Sequence, residues 1–96
     1  MSYSIGYHPD VKSRDIPELP GNLRERVRVA IETRLTISPE KYGAPLRNTL
    51  RGYWKLRVGD YRVVFSIKGE RIVIHGIMHR KHVYKYIYPR LKVNEN

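Results

Sequence analysis

At 96 residues the chain is long enough for one compact domain, expected over 1–96, and too short for two. Its 41% hydrophobic and 29% charged residues fit a globular domain and not a disordered one, and the absence of cysteine excludes disulfides, zinc–thiolate centres and thiol nucleophiles. Nineteen Lys and Arg against nine Asp and Glu leave a net charge of +10, a surplus that repels itself and draws in polyanions, nucleic acid first, then acidic protein or an anionic membrane.

The amino terminus, Met1 to Ile5, lacks the basic stretch and apolar run of an export signal. No stretch approaches the roughly 20 apolar residues that span a bilayer, so a soluble cytoplasmic protein without membrane association is expected. Tyr3, Ile5 and Tyr7 alternate with Ser2, Ser4 and Gly6, which predicts a short strand. His8-Pro9-Asp10 breaks it, and Pro9-Asp10 opens a short helix through about Asp15. Beyond Pro17 and Pro20-Gly21, Asn22 is the expected N-cap of the one long helix. Its buried stripe is Leu23, Val27, Ala30, Ile31 and Leu35, at helical spacing, and Ser38-Pro39 ends it.

Residues 39–52, with Pro39, Gly43, Pro45 and Gly52, read mainly as loop. Tyr53 to Val58, Tyr61 to Ile67 and Arg71 to Met78 are three strands rich in Val, Ile and aromatics, separated by turns at Gly59-Asp60 and Lys68-Gly69-Glu70. Val83 to Leu91 is a short terminal helix interrupted at Pro89, and Lys92 to Asn96 a frayed tail. The fold class is therefore α+β: an antiparallel sheet of about four strands, two amino-terminal helices on one face and a short carboxy-terminal helix.

Basic residues gather around the meander. Lys55 and Arg57 are two apart on one strand, so they share a face with Tyr53, while Trp54, Leu56 and Val58 face the core. Arg62 shares its parity with Val64, opposite Tyr61, Val63 and Phe65, and the strand register is left open. Arg80 and Lys81 follow the last strand. Taken singly, each of these cations is most simply a solvated surface residue, and each tyrosine a half-buried packing group. Taken together they fit RNA: guanidiniums for phosphate, tyrosines for unpaired bases, and a lysine whose charged form is disfavoured among arginines as a proton acceptor. No metal-ligand spacing stands out among the four histidines.

The run from Leu50 through Gly52-Tyr53-Trp54-Lys55-Leu56-Arg57-Val58-Gly59-Asp60-Tyr61-Arg62 to Phe65 resembles the central signature of the RelE/ParE toxin superfamily. His79-Arg80-Lys81-His82-Val83-Tyr84 resembles that superfamily's closing element. The resemblance covers the carboxy-terminal half closely, and the amino-terminal half only in order of elements. It implies a toxin of a type II toxin–antitoxin system, an endoribonuclease that cuts mRNA on the ribosome without metal or other cofactor, neutralised by a cognate antitoxin. Carried over by position, it assigns Lys55, Arg62, Arg80 and Tyr84 to the catalytic set. Arg57, Lys81, Tyr53 and His79 are the expected RNA-binding residues. Tyr53 stands where the best-known RelE pattern has a first lysine, which leaves Lys55 alone and makes His79, Lys81 or His82 possible substitutes. The competing readings are a ParE-like inhibitor of DNA gyrase and a non-catalytic RNA- or antitoxin-binding relative.

Overall fold

The structure, a computed structural model, describes residues 2–47 and 50–93 (for 92 and 93, the backbone alone). Strand β1 (Ser4–Tyr7) is followed by one wide helical turn over Val11–Asp15. Helix α1 (Gly21–Ala30) runs on without a break into a wider-wound final turn, Ile31–Leu35. A single helical turn, α2 (Pro39–Tyr42), and a two-residue strand, β2 (Ala44–Pro45), lead into the meander β3 (Tyr53–Val58), β4 (Tyr61–Lys68) and β5 (Arg71–His79). A tight turn at Arg80–His82 then opens helix α3 (Val83–Val93).

The sheet has five strands in the order β1-β5-β4-β3-β2. It is mixed, because β1 pairs parallel to β5, Ser4 opposite Arg71 through Tyr7 opposite Ile74. The α+β class stands, while the expected antiparallel sheet of about four strands is corrected on both counts. Alternation identifies β1 as a strand, but it does not tell a parallel from an antiparallel partner so distant in the chain.

Each face of the sheet is covered. On one face Leu56, Val58, Val63, Phe65, Ile72 and Ile74 pack against the amino-terminal helical segments through Val11, Val27, Ala30, Ile31 and Leu35. Those α1 residues are the stripe expected from helical spacing, with Leu23 half-buried beside them. On the other face Val64 and Met78 meet Val83, Ile87 and Leu91 of α3, closed over by Leu46 and Leu50. Alternate side chains serve the two cores, and along β5 a bulge resets the alternation. Val64 pairs with Gly76 and Phe65 with Ile74, so His75 is the extra residue and side-chain parity resets between Ile74 and Ile77. Gly76 lets α3 approach: a Cβ there would lie 2.6 Å from Ile87 Cδ1 and 2.7 Å from Met78 Cε.

Four further expectations change. The long helix begins at Gly21, one residue before Asn22, with Pro20 extended at its N-cap (φ −54°, ψ 143°) and its carbonyl accepting from the Leu23 and Arg24 amides. Residues 39–52 are not mainly loop, since Pro39 opens α2 at a position where its missing N–H costs nothing, and β2 pairs Pro45 with Trp54. Helix α3 is not interrupted at Pro89. Both Pro89 and Lys85, whose carbonyl the proline cannot bond, are exposed, so water satisfies what the helix does not. Lys92 belongs to α3, and the rest of the expected tail from residue 94 lies outside the described residues.

Candidate functional site

The β3–β4 register decides what parity leaves open. Tyr53 lies opposite Ser66, Lys55 opposite Val64 and Arg57 opposite Arg62. Val64 belongs to the α3-side core, so Lys55, Arg57 and Arg62 stand on the face that α3 covers only in part. Like charges directly across a strand pair destabilise a sheet, and an anion between them would relieve that cost.

Arg62 is held in place by its own hairpin. Its Nη1 donates to the Gly59 carbonyl at 3.1 Å and the Tyr61 carbonyl at 2.9 Å. Gly59 sits at φ +59°, a backbone conformation glycine adopts without strain, which is what lets two residues reverse the chain here. Burial, then the charges of Arg57 and Arg80, pull the Arg62 guanidinium below its ordinary pKa against the smaller opposing effect of Asp60. Arg80 closes the same turn: its amide donates to the Asp60 carbonyl at 2.8 Å and its Nε lies 3.8 Å from Asp60 Oδ1. That ion pair is solvent-exposed and holds Arg80 weakly.

Tyr84, in the first turn of α3, is 38% exposed. Burial pushes its phenol up, but hydrogen bonds from the Arg47 side chain and main chain and the charges of Lys55 and Arg47 together hold it below the ordinary phenol value. The Lys55 and Arg47 charges thus both act on the Tyr84 phenol. Sequence reasoning passed over Arg47 because it lies in the stretch read as loop. The available signal was Leu46 and Leu50, whose burial on either side anchors that segment against α3.

The other expected RNA-binding residues divide. Arg57 faces Arg62, and Lys81 is exposed on the turn beside Arg80, its amide donating to His79 Nδ1 at 3.2 Å. Tyr53 is half-buried, edge-on to His75 at 5.2 Å. His79 lies away from Lys55, its ring against Tyr61 at 5.4 Å on the flank of the amino-terminal helices. His82 contacts His79 at 6.0 Å on that same flank.

Two buried polar groups behind the site were not foreseen. Asp15 accepts from the Ile77 amide at 2.9 Å and from Arg90, joining the first helical turn to α3 where β1 no longer covers the edge of β5. His75 pairs through Nε2 with Ser66 Oγ at 2.8 Å, while its Nδ1 is buried with no partner. Burial, with the charges of His8, Lys68 and Arg90, lowers its pKa to about 4.

Among the described residues no helix is long and apolar enough to cross a membrane. The family described as "ParE toxin of type II toxin-antitoxin system, parDE" matches residues 11–84. Toxin RelE of Mycobacterium tuberculosis is 33% identical over 90 residues, 88% of this chain and 93% of that protein. Toxin RelE3 of Methanocaldococcus jannaschii is 28% identical over 76 residues, 76% of this chain and 86% of that protein. Among solved structures, the RelBE2 toxin–antitoxin complex from Mycobacterium tuberculosis superimposes with a TM-score of 0.77 at 28% identity, over 83% of this chain and 100% of the other. A double arginine-to-alanine mutant of Escherichia coli toxin RelE in the free state shares the fold, with a TM-score of 0.71 at 17% identity over 94% of this chain and 98% of that one. The chain belongs to the RelE/ParE superfamily of type II toxin–antitoxin toxins, on its RelE-like branch.

Proposed function

We propose that this toxin is an endoribonuclease that cuts mRNA on the ribosome in the cytoplasm and is neutralised by a cognate antitoxin. One observation carries the reading: Arg57 stands directly opposite Arg62 on the face that holds Lys55, with Arg80 near enough to help disfavour the Arg62 charge, and Lys55 and Arg47 hold the Tyr84 phenol low. Scission of RNA by its own 2′-OH needs a proton acceptor, cations on the phosphorane and a proton donor for the leaving oxygen. Lys55 takes the 2′-OH proton, the 2′ oxygen attacks phosphorus, and the bond to the 5′ oxygen breaks. Arg62 and Arg80 hold the phosphate, and Tyr84 delivers a proton to the 5′ oxygen. The products are a 2′,3′-cyclic phosphate and a free 5′-hydroxyl. Arg57 and Lys81 serve flanking phosphates, and Tyr53 and His79 border their path.

A ribosome that positions the message would supply much of the rate through orientation, so a sparse acid–base set suffices. The antitoxin is supported by relatives from Mycobacterium tuberculosis, Methanococcus jannaschii and Pyrococcus horikoshii, solved as toxin–antitoxin complexes, and by the +10 charge, which favours an acidic partner. Primer extension on cells expressing the chain tests the reading. Cuts within translated codons are expected, and they disappear with Arg80→Ala. The ParE description of the matching family favours a second reading, inhibition of DNA gyrase. Intact transcripts with double-strand DNA breaks would replace the first reading with that one.

A further inference from the structure

Across the end of β5 from Tyr84 lies a groove of about 530 Å³ between α3, β5 and the segment around Arg14 to Leu19. Four rings line it in continuous contact. Tyr61 meets His79 at 5.4 Å and 76°, His79 meets His82 at 6.0 Å, and His82 meets Tyr86 at 5.5 Å and 67°. The buried Asp15–Arg90 pair forms part of its lining, with Arg14 and Lys85 as exposed cations and Glu18 as an exposed carboxylate.

Its outer rings contribute to neither core. Helix α3 gives the core Val83, Ile87 and Leu91, whereas His82 is exposed and Tyr86 is 50% exposed. Two rings set edge to face form a corner, in which a third planar ring stacks on one and meets the edge of the other. Lys85 Nζ lies 5.6 Å from the Tyr86 centroid, within reach of a phosphate attached to a stacked base. Aromatic faces flanked by cations are the chemistry that takes up an unpaired nucleobase.

The groove is also placed to continue the first site. Residues two apart on a helix point about 200° away from each other, so Tyr84 and Tyr86 flank α3 on opposite sides. The Arg80–His82 turn leads directly into α3, with His82 against Tyr86. We infer that this groove is a second nucleotide subsite, in which His82 and Tyr86 stack an unpaired base neighbouring the one held at Tyr84, the strand bending over Arg80 and Lys81. The inference rests on the RNA reading above and adds a nucleotide to it.

The test uses the full chain and two 2′-O-methyl RNA probes that offer no 2′-OH for attack, a pentamer and a nucleoside 3′,5′-bisphosphate, which carries one base and two phosphates for the arginines. Binding is followed by fluorescence anisotropy at one fixed low salt concentration. Tyr86→Leu is expected to weaken the pentamer about tenfold, in line with one lost stacking contact, and to leave the one-base bisphosphate unchanged. Tyr86→Trp restores the pentamer, and circular dichroism confirms that the exposed substitutions keep the fold. Pentamer binding at the parental level in Tyr86→Leu and His82→Ala, with Arg62→Ala weakened, overturns the subsite and leaves the RNA reading standing. Parental binding in Arg62→Ala as well overturns both. Loss of affinity for an acidic antitoxin peptide in Tyr86→Leu, with RNA binding intact, makes the groove a protein dock and also overturns the subsite.

Discussion

Asp15 and Arg90, 75 positions apart, meet as a two-point ion pair: Arg90 Nη1 lies 2.8 Å from Asp15 Oδ2, and Nη2 lies 3.3 Å from Oδ1. The side chains are only 9% and 12% exposed, and Arg90 Nη1 also donates to the His75 carbonyl at 3.0 Å. Removing Asp15 leaves the buried Arg90 with only the half-exposed Asp10 carboxylate, 3.8 Å from its Nε, and breaking a buried pair typically costs about 3–5 kcal/mol. Asp15→Ala is therefore expected to lose several kcal/mol in urea unfolding and to loosen α3. Removing Arg90 as well should cost little more, a coupling that a double-mutant cycle measures. A loss in Asp15→Ala under about 1 kcal/mol would show that the pair does not hold the helix.

Gly76 sets how closely α3 sits on the sheet. A methyl group there would fall 2.6 Å from Ile87 Cδ1, inside the core, where overpacking costs about 1–3 kcal/mol. Gly21→Ala is the control, because a Cβ at Gly21 meets nothing within 4 Å. Thermal melts should show Gly76→Ala falling by several degrees and Gly21→Ala holding or rising. Equal melting temperatures for the two variants would contradict the close packing of Ile87.

The buried His75 ring makes stability depend on pH. Its folded pKa of about 4 lies below the unfolded value of 6.5, so the unfolded chain binds the proton first. This contribution to stability is fully present above pH 6.5 and is lost as pH falls toward 4, about 3 kcal/mol over that window. Comparison of urea midpoints at pH 7 and pH 4 for the parent and His75→Asn isolates it from the carboxylates. The parent should lose more than the variant. Parallel losses would place His75 in contact with water.

How much of this was legible can be read from particular residues. The spacing of two between Lys55 and Arg57 puts them on one face, with Leu56 and Val58 behind, and the fold bears that out. That Arg57 faces Arg62 is a matter of register, which side-chain alternation leaves free. The bulge at His75 is hidden inside an apolar run, so parity along β5 fails beyond Ile74. Asp15 and Arg90 each look like ordinary solvated charges until folding brings them together. Arg47 carries no pattern of its own, and only its hydrogen bonds to Tyr84 single it out.

Those hydrogen bonds give the proposed reaction a pH signature. Arg47 and Lys55 outweigh burial and hold the Tyr84 phenol below its ordinary pKa, so Tyr84 gives up a proton more readily than a free tyrosine. As the donor to the 5′ oxygen it must be protonated, and its titration then sets the alkaline limb of the rate profile. Arg47→Ala removes the side-chain bond and the charge that favour the phenolate and keeps the main-chain bond, so that limb should move to higher pH while the maximal rate falls. Tyr84→Phe removes the proton itself and should slow cleavage by about 10²–10⁴-fold, the usual range for a lost general acid. Lys55→Ala is expected to lose cleavage with nearly unchanged RNA affinity, since Arg57, Arg62 and Arg80 remain. Single-turnover cleavage of a ribosome-bound message across pH separates these cases. An alkaline limb unmoved by Arg47→Ala, in a variant that still cuts, would remove Tyr84 from the proton transfer and leave it a stacking role.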